Sequence, residues 1–207
     1  MASSRPLREV FAEPISRKAR WIWFILISAV IVAVDQLSKV YAVAHWQGTP
    51  RIPFRSYFFD IFRIQYAENK GAFLGMFGGL PEELRVWLLT VLTGLMMLAI
   101  TIYLLTTSHI RFYIFIAFTL IVGGGIGNLI DRIRFRYVID YFNLGLNLGD
   151  WIGFFNIRTG IFNVADMAIT AAFFMMIPVV LWRDFPAESV SEEIPKQVPA
   201  ATEASPS

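Results

Sequence analysis

The sequence predicts an all-α membrane protein: four transmembrane helices, with short strands in the outer loop after the first. Three observations point there. Apolar residues make up 56% of the 207-residue chain and charged residues only 16%, whereas a soluble domain carries about 25% charged residues. Mean hydropathy is +0.56. The apolar residues are also gathered into runs near the roughly 20 residues needed to cross a hydrocarbon core of about 30 Å. Disorder, a collagen-like repeat and a soluble α/β enzyme are disfavoured. Cysteine is absent, which excludes disulfides, thiolate metal sites and a cysteine nucleophile. Two histidines, His45 and His109, leave little for a histidine triad or a multi-histidine metal site. A net charge of +2 is too small to suggest a nucleic-acid partner.

Taken in order, residues 1–20 form a basic tail, with Arg17, Lys18 and Arg20 against the first apolar segment. That segment, 21–46, is uncharged through Val34 and then carries Asp35 and Lys39. Ala42-Val43-Ala44 has the form of a signal-peptidase site, but the charged stretch from Asp35 to Lys39 would make the region before it too long and too polar. The first segment is therefore expected to stay. In the loop 47–85, residues 53–66 are aromatic and β-branched with some alternation, which predicts short strands at an interface where aromatic rings prefer to sit. Pro81, Glu82 and Glu83 mark a helix start, because proline suits the first turn and acids suit the positive dipole end. Residues 86–107 and 112–130 give 22 and 19 uncharged residues in a row. After the loop 132–160, the fourth segment, 160–182, holds Asp166 near its start. The tail 184–207, rich in Pro, Ala, Ser and Glu, is expected to be disordered and cytoplasmic. Basic residues beside the segments favour both termini inside, although Arg132, Arg134 and Arg136 then fall outside.

Ionisable groups at membrane depth are costly and default to functional hypotheses. With the N-terminus inside, Asp35, Asp131, Asp140 and Asp166 all fall at the outer ends of their segments, four of the seven aspartates at one level. Asn69, Asn128 and Asn163 fall there too. Asp35 and Lys39, spaced i,i+4, also fit a simple interfacial ion pair. Gly124, Asn128, Asp131 and Arg132 share one helix face, and the glycines from Gly123 to Gly127 permit close helix approach. Asp131 beside Arg132 reads as a structural pair. Asp140 and Asp166 have no obvious cation nearby in sequence. If they face one another, one pKa rises until the pair shares a proton, and such a pair can activate water. Ordinary interfacial carboxylates are the bland reading of the same residues.

Five blocks, in order, resemble the lipoprotein signal peptidase (signal peptidase II) family. They are Asp35-Gln36-Leu37-Ser38-Lys39, Asn69-Lys70-Gly71-Ala72-Phe73, the run from Gly124 to Arg132, Val138-Ile139-Asp140-Tyr141, and Phe162-Asn163-Val164-Ala165-Asp166. Across 21–183, the resemblance implies a four-span aspartic endopeptidase of the bacterial inner membrane, with its site at the outer face. It implies removal of the signal peptide from prolipoproteins, cut before a diacylglyceryl-modified cysteine. Asp140 and Asp166 would be the catalytic pair. Asp35, Lys39, Asn69, Gly71, Asn128, Arg132 and Asn163 would support the pair or the substrate, and Asp131 would be structural. The outer loop would form a small β-cradle, with 72–77 a short helix over the site. No metal or cofactor is implied; the partners would be lipid-modified prolipoproteins and membrane lipids, and the enzyme would be a monomer. Two departures stand out. Tyr141 takes the place of the family's usual Phe, and 143–160 lengthens the distance between the two aspartates. That insertion suggests an outer hairpin or flap that shapes substrate entry, or else an inert surface excursion. A small transporter or proton channel remains the alternative, although its carboxylates should lie near the midplane.

Overall fold

The computed structural model describes residues 16–48, 55–71, 80–107, 110–147 and 156–181. The expected short helix at 72–77, most of the basic tail, the 184–207 tail and the tip of the insertion at 148–155 lie outside the described residues. Four helices and one small sheet follow in the order α1 (Arg17–Trp46), β1 (Arg55–Tyr57), β2 (Phe62–Asn69), α2 (Glu82–Thr106), α3 (Phe112–Phe135), β3 (Val138–Asn147), β4 (Asn156–Arg158) and α4 (Val164–Leu181).

Helices α1, α2 and α3 are long and apolar enough to cross a membrane, while α4 offers a shorter apolar stretch, Val164–Pro178. At 1.5 Å per residue, α3 spans about 36 Å. Leu37 and Val40 on α1, and Leu92 and Leu95 on α2, stand exposed, an apolar surface that suits lipid. The starts of α1 and α2 differ in how they are met. Ser16 Oγ accepts from the Ala19 N–H at 3.3 Å, and Pro81 precedes Glu82 and Glu83 in the first turn of α2.

Helix α3 is central and packs on α1, α2 and α4. Its glycines make this possible by facing three different helices. Gly123 lies against Ser28 and Ile31 of α1, Gly125 against Met97 of α2, and Gly124 against the Ala165 carbonyl of α4. A methyl group at Gly127 would sit 2.5 Å from Asp35 Oδ2, so the glycine is what admits that carboxylate. At the end away from the aspartates, buried Arg20 donates to the Leu104 and Thr107 carbonyls at the C-terminus of α2, a favourable place for a cation. Leu104, Ile110 and Phe115 close the core there, with Phe24 against them.

The strands form one antiparallel sheet in the order β1-β2-β3-β4. The strands expected within 53–66 are β1 and the first part of β2, and the described part of the insertion pairs as the hairpin β3–β4. Two boundaries differ from expectation. Helix α3 runs on to Phe135, past the loop start expected at 132, and keeps Asp131 and Arg132 on the helix as expected. It ends at Arg136, which adopts φ +69° and turns the chain directly into β3. Helix α4 begins at Val164 rather than 160, because Phe162 is taken up in a bridge to Phe142. The sheet docks on the end of α1 through Ala42, Ile139 and Tyr141, which are buried together with Trp46 and Tyr66 beside them.

Candidate active site

The four aspartates read at one level from the sequence do converge, and the fold sorts them into two pairs. Asp35 and Asp131 share a lysine. Lys39 Nζ lies 2.8 Å from Asp35 Oδ2 and 2.8 Å from Asp131 Oδ2, and donates its third hydrogen bond to Asn128 Oδ1 at 3.1 Å. An ammonium has three donors, so this one is fully used. Asp35 Oδ1 also accepts from the Ala165 N–H at 3.0 Å, one of the orphan donors in the first turn of α4. Asp131 Oδ2 accepts from the Ile139 N–H at 3.1 Å, which fixes the turn from α3 into β3. The i,i+4 spacing of Asp35 and Lys39 is thus a real ion pair. The expected pairing of Asp131 with Arg132 is not: Lys39 is the cation of Asp131, because residues adjacent on a helix do not face each other.

Asp140 and Asp166 are held by amides instead. Period-two alternation in β3 sends Ile139 and Tyr141 toward α1 and Asp140 to the opposite face. Asp140 Oδ1 accepts from Asn163 Nδ2 at 2.7 Å and Oδ2 from Asn69 Nδ2 at 3.0 Å. Asn69 reaches it as a diagonal cross-strand neighbour, since Ala67 is the partner of Asp140 and Asn69 lies two residues on. Asn69 Oδ1 in turn accepts from the Gly71 N–H at 2.9 Å. Gly71 has φ +85°, a backbone conformation that glycine adopts without the cost a side chain would add.

Asp166 is oriented by the start of its own helix. Asn163 Oδ1 accepts from the Asp166 N–H at 3.0 Å, and Asp166 Oδ2 accepts from the Asn163 N–H at 3.2 Å. This is a reciprocal capping box. Its other oxygen, Oδ1, accepts from Asn128 Nδ2 at 2.8 Å. Asn163 therefore touches both carboxylates, and its Nδ2 also lies 3.0 Å from Asn128 Oδ1. Among the described residues, neither Asp140 nor Asp166 forms an ion pair. The Arg132 guanidinium interacts with Asp166, Asp140 and Asp131 through space. Asp140 is buried, and burial, reinforced by the nearby Asp166 charge, pushes its pKa up to about 7.

Every site residue expected from the sequence is thus in this network or at its edge. Sequence reasoning passed over three others. Gln36 Nε2 lies among Asp35 Oδ2, Asp131 Oδ1 and the Gly127 carbonyl. Ser38 and Tyr141 join through their hydroxyls. Gln36 and Ser38 stand inside the first block, so its unbroken run was the available signal. The capping box was also legible, as an Asn followed three residues later by an acid. Among the described residues, no group of three His, Asp or Glu side chains is arranged to hold a metal ion.

Comparisons with known proteins show the family to which the chain belongs. Residues 27–182 match the family model for signal peptidase (SPase) II. A lipoprotein signal peptidase of Streptococcus pyogenes serotype M5 is 35% identical over 164 residues, covering 78% of this chain and 93% of the relative. The serotype M3 protein of the same species matches equally over the same length. In fold, the chain is similar to a bacterial membrane enzyme solved by the in meso method at 2.3 Å resolution, with TM-score 0.61 and 22% identity over 80% of this chain and 92% of the other. A second such structure, at 1.9 Å, gives TM-score 0.60 and 24% identity over 78% and 93%. With most of its length matched by the family model and its polar residues gathered at one end of the helices, the chain belongs to the signal peptidase II family of membrane proteases.

Proposed function

We propose that the protein is an aspartic endopeptidase that removes the signal peptide from diacylglyceryl-modified prolipoproteins, with Asp140 and Asp166 as its catalytic pair. The observation that carries this reading is Asn163, which hydrogen-bonds both carboxylates, neither of which forms an ion pair among the described residues. Two carboxyls held so, one of them buried, resist double ionisation and share a proton. The ionised member takes a proton from water, and the protonated member donates to the scissile carbonyl. The water oxygen bonds to the carbonyl carbon, the C–N bond then breaks, and the leaving amine of the lipid-modified cysteine receives the proton.

The remaining side chains hold rather than react. Asn69, Asn128 and Asn163 fix the oxygens of the pair, and Arg132 adds positive potential beside them. Such preorganisation lowers the barrier by fixing geometry before the reaction begins. The setting suits the substrate. Its acyl chains stay in the bilayer while the scissile bond lies at the interface, which is where a site at helix ends meets it. In this reading α4 is a fourth span, both termini lie on the cytoplasmic side of the bacterial inner membrane, the site opens at the outer face, and the enzyme acts as a monomer. The β3–β4 hairpin shapes substrate entry; shortening it should change which prolipoproteins are cut, and an unaltered substrate range would remove that role.

The test is cleavage of a diacylglyceryl-modified prolipoprotein by enzyme in membranes. Asp140→Asn and Asp166→Asn should each abolish processing while the protein remains inserted and folded. Substantial turnover by either variant rejects the pair.

A further inference from the structure

At the end of the sheet away from the aspartates, the chain between β1 and β2 turns through Phe58, Phe59 and Asp60 with φ values of +52°, +54° and +68°. Three successive non-glycine residues in the left-handed region are unusual, and bulky side chains are disfavoured there. Among the described residues the phenylalanine rings are left uncovered, Phe58 being 76% exposed and Phe59 99% exposed. The turn is nevertheless strongly held. The Asp60 carboxylate accepts from Ser56 Oγ and Arg63 Nε, each at 2.6 Å, and from Arg158 of β4. Arg158 also donates to the Asp60 carbonyl at 2.6 Å and to Asn143 Oδ1 at 2.7 Å. Backbone strain that is over-determined by its surroundings points to use.

The arrangement puts the charges of the turn against one another and leaves aromatic rings outward. Exposed Tyr57, Ile61, Leu144 and Ile157 extend the same apolar surface. A row of ring contacts joins it to the membrane-crossing part of the protein. It runs from Trp46 at the end of α1 to Tyr141 (5.8 Å between centroids), Phe142 (4.5 Å), Phe62 (5.3 Å) and Tyr57 (6.2 Å). Aromatic rings concentrate at the boundary between hydrocarbon and water, and the exposed rings at the outer end of this row, Tyr57, Phe58 and Phe59, suit that boundary.

We propose that the Phe58–Phe59 tip is a lipid anchor. It inserts both rings into the interfacial layer of the bilayer that the helices cross, and Arg158 holds it in the inserting shape. The role is separate from proteolysis, because it depends on the chain being in a membrane and not on Asp140 or Asp166. The chain has no cysteine, so Phe59→Cys supplies a single attachment point for a nitroxide label. In full-length protein reconstituted into phosphatidylcholine and phosphatidylglycerol vesicles, the label should collide more often with oxygen than with a water-soluble nickel chelate. Adding Arg158→Ala should then raise nickel access several-fold. A label as open to nickel as one free in water overturns the anchor. Dipolar broadening that disappears when labelled protein is diluted with unlabelled chain also overturns it, and makes the tip a contact between copies. Phe58→Cys repeats the measurement at the neighbouring position and should give the same ordering.

Discussion

Two pairs of aspartates lie in one hydrogen-bond network, and they differ in what holds them. Asp35 and Asp131 grip a lysine whose three donors are all spent. Asp140 and Asp166 are gripped by neutral amides. Burial, with the nearby Asp166 charge, raises the Asp140 pKa even though its amide donors favour the ionised form. The same side chain is held by a shared ammonium in one pair and by side-chain amides in the other, and the proposed catalytic pair is the amide-held one. Asn128 touches both halves, accepting from Lys39 and donating to Asp166, so the lysine-held pair positions the proposed catalytic one.

The sharpest way to break this division is to neutralise one member of each pair. Asp166→Asn should lower kcat by roughly 10²–10⁴-fold or more, the range for loss of a positioned acid or base, with little change in Tm. Asp131→Asn and Lys39→Met should do the opposite and act chiefly on stability. Lys39→Met strands two buried carboxylates, and breaking a buried pair costs about 3–5 kcal/mol. Thermal unfolding in detergent micelles checks this. An unchanged Tm for Lys39→Met would show that the lysine is not what holds α1, α3 and β3 together.

A smaller effect concerns pH. Asp140 has a pKa near 7, pushed up first by burial and then by the Asp166 charge. The folded protein therefore binds this proton more tightly than the unfolded chain does. The stability it contributes is fully present below the unfolded value near 4 and is lost as pH rises through about 7. Activity that needs the shared proton should fall over the same upper range, giving kcat/KM a basic limb near neutrality. Asn69 and Asn163 both pull the Asp140 pKa down by hydrogen-bonding its ionised form. Asn69→Ala should therefore move the basic limb to higher pH and reduce kcat/KM by about tenfold, the worth of one hydrogen bond to a charged group. A limb that stays in place would mean that the group titrating there is not Asp140.

Much of this was legible in the sequence, for a physical reason. Charged residues in apolar runs are expensive, so Asp35, Lys39, Asp131 and Asp166 stand out against their surroundings and must meet partners. The glycines of α3 likewise announce close packing, and Gly127 against Asp35 is the clearest instance. What sequence spacing misjudged was which groups pair. Asp131 sits next to Arg132 in the chain, yet helical geometry turns the two apart and brings Lys39 across from α1. The Asp60–Arg158 lock was hidden for a related reason. Its members lie 98 residues apart, one in a turn and one at the end of the three-residue strand β4, too short for periodicity to signal a partner. The membrane-facing apolar surface was plain from composition, whereas the left-handed backbone that presents Phe58 and Phe59 was not, because neither residue favours that conformation.

The smallest effect tests how sharply the two halves are divided. Tyr141 follows Asp140 directly, but strand alternation turns its ring to the other face, onto Ala42, Ile139 and Trp46. Burial pushes its pKa up to about 12, so the hydroxyl keeps its proton and donates to Ser38 Oγ at 2.5 Å, and Ser38 Oγ donates to the Asp35 carbonyl at 2.7 Å. The chain of bonds leads to the lysine-held half, away from Asp140 and Asp166. Tyr141→Phe keeps the ring and removes one hydrogen bond, which is worth about 0.5–1.5 kcal/mol. Tm should fall by roughly 2–4 °C, the scale for 1 kcal/mol in a chain of this size, while kcat and the position of the basic limb stay put. A loss of kcat beyond tenfold with Tm preserved would place the hydroxyl in the chemistry, and would mean that the two pairs exchange protons rather than only sharing a scaffold.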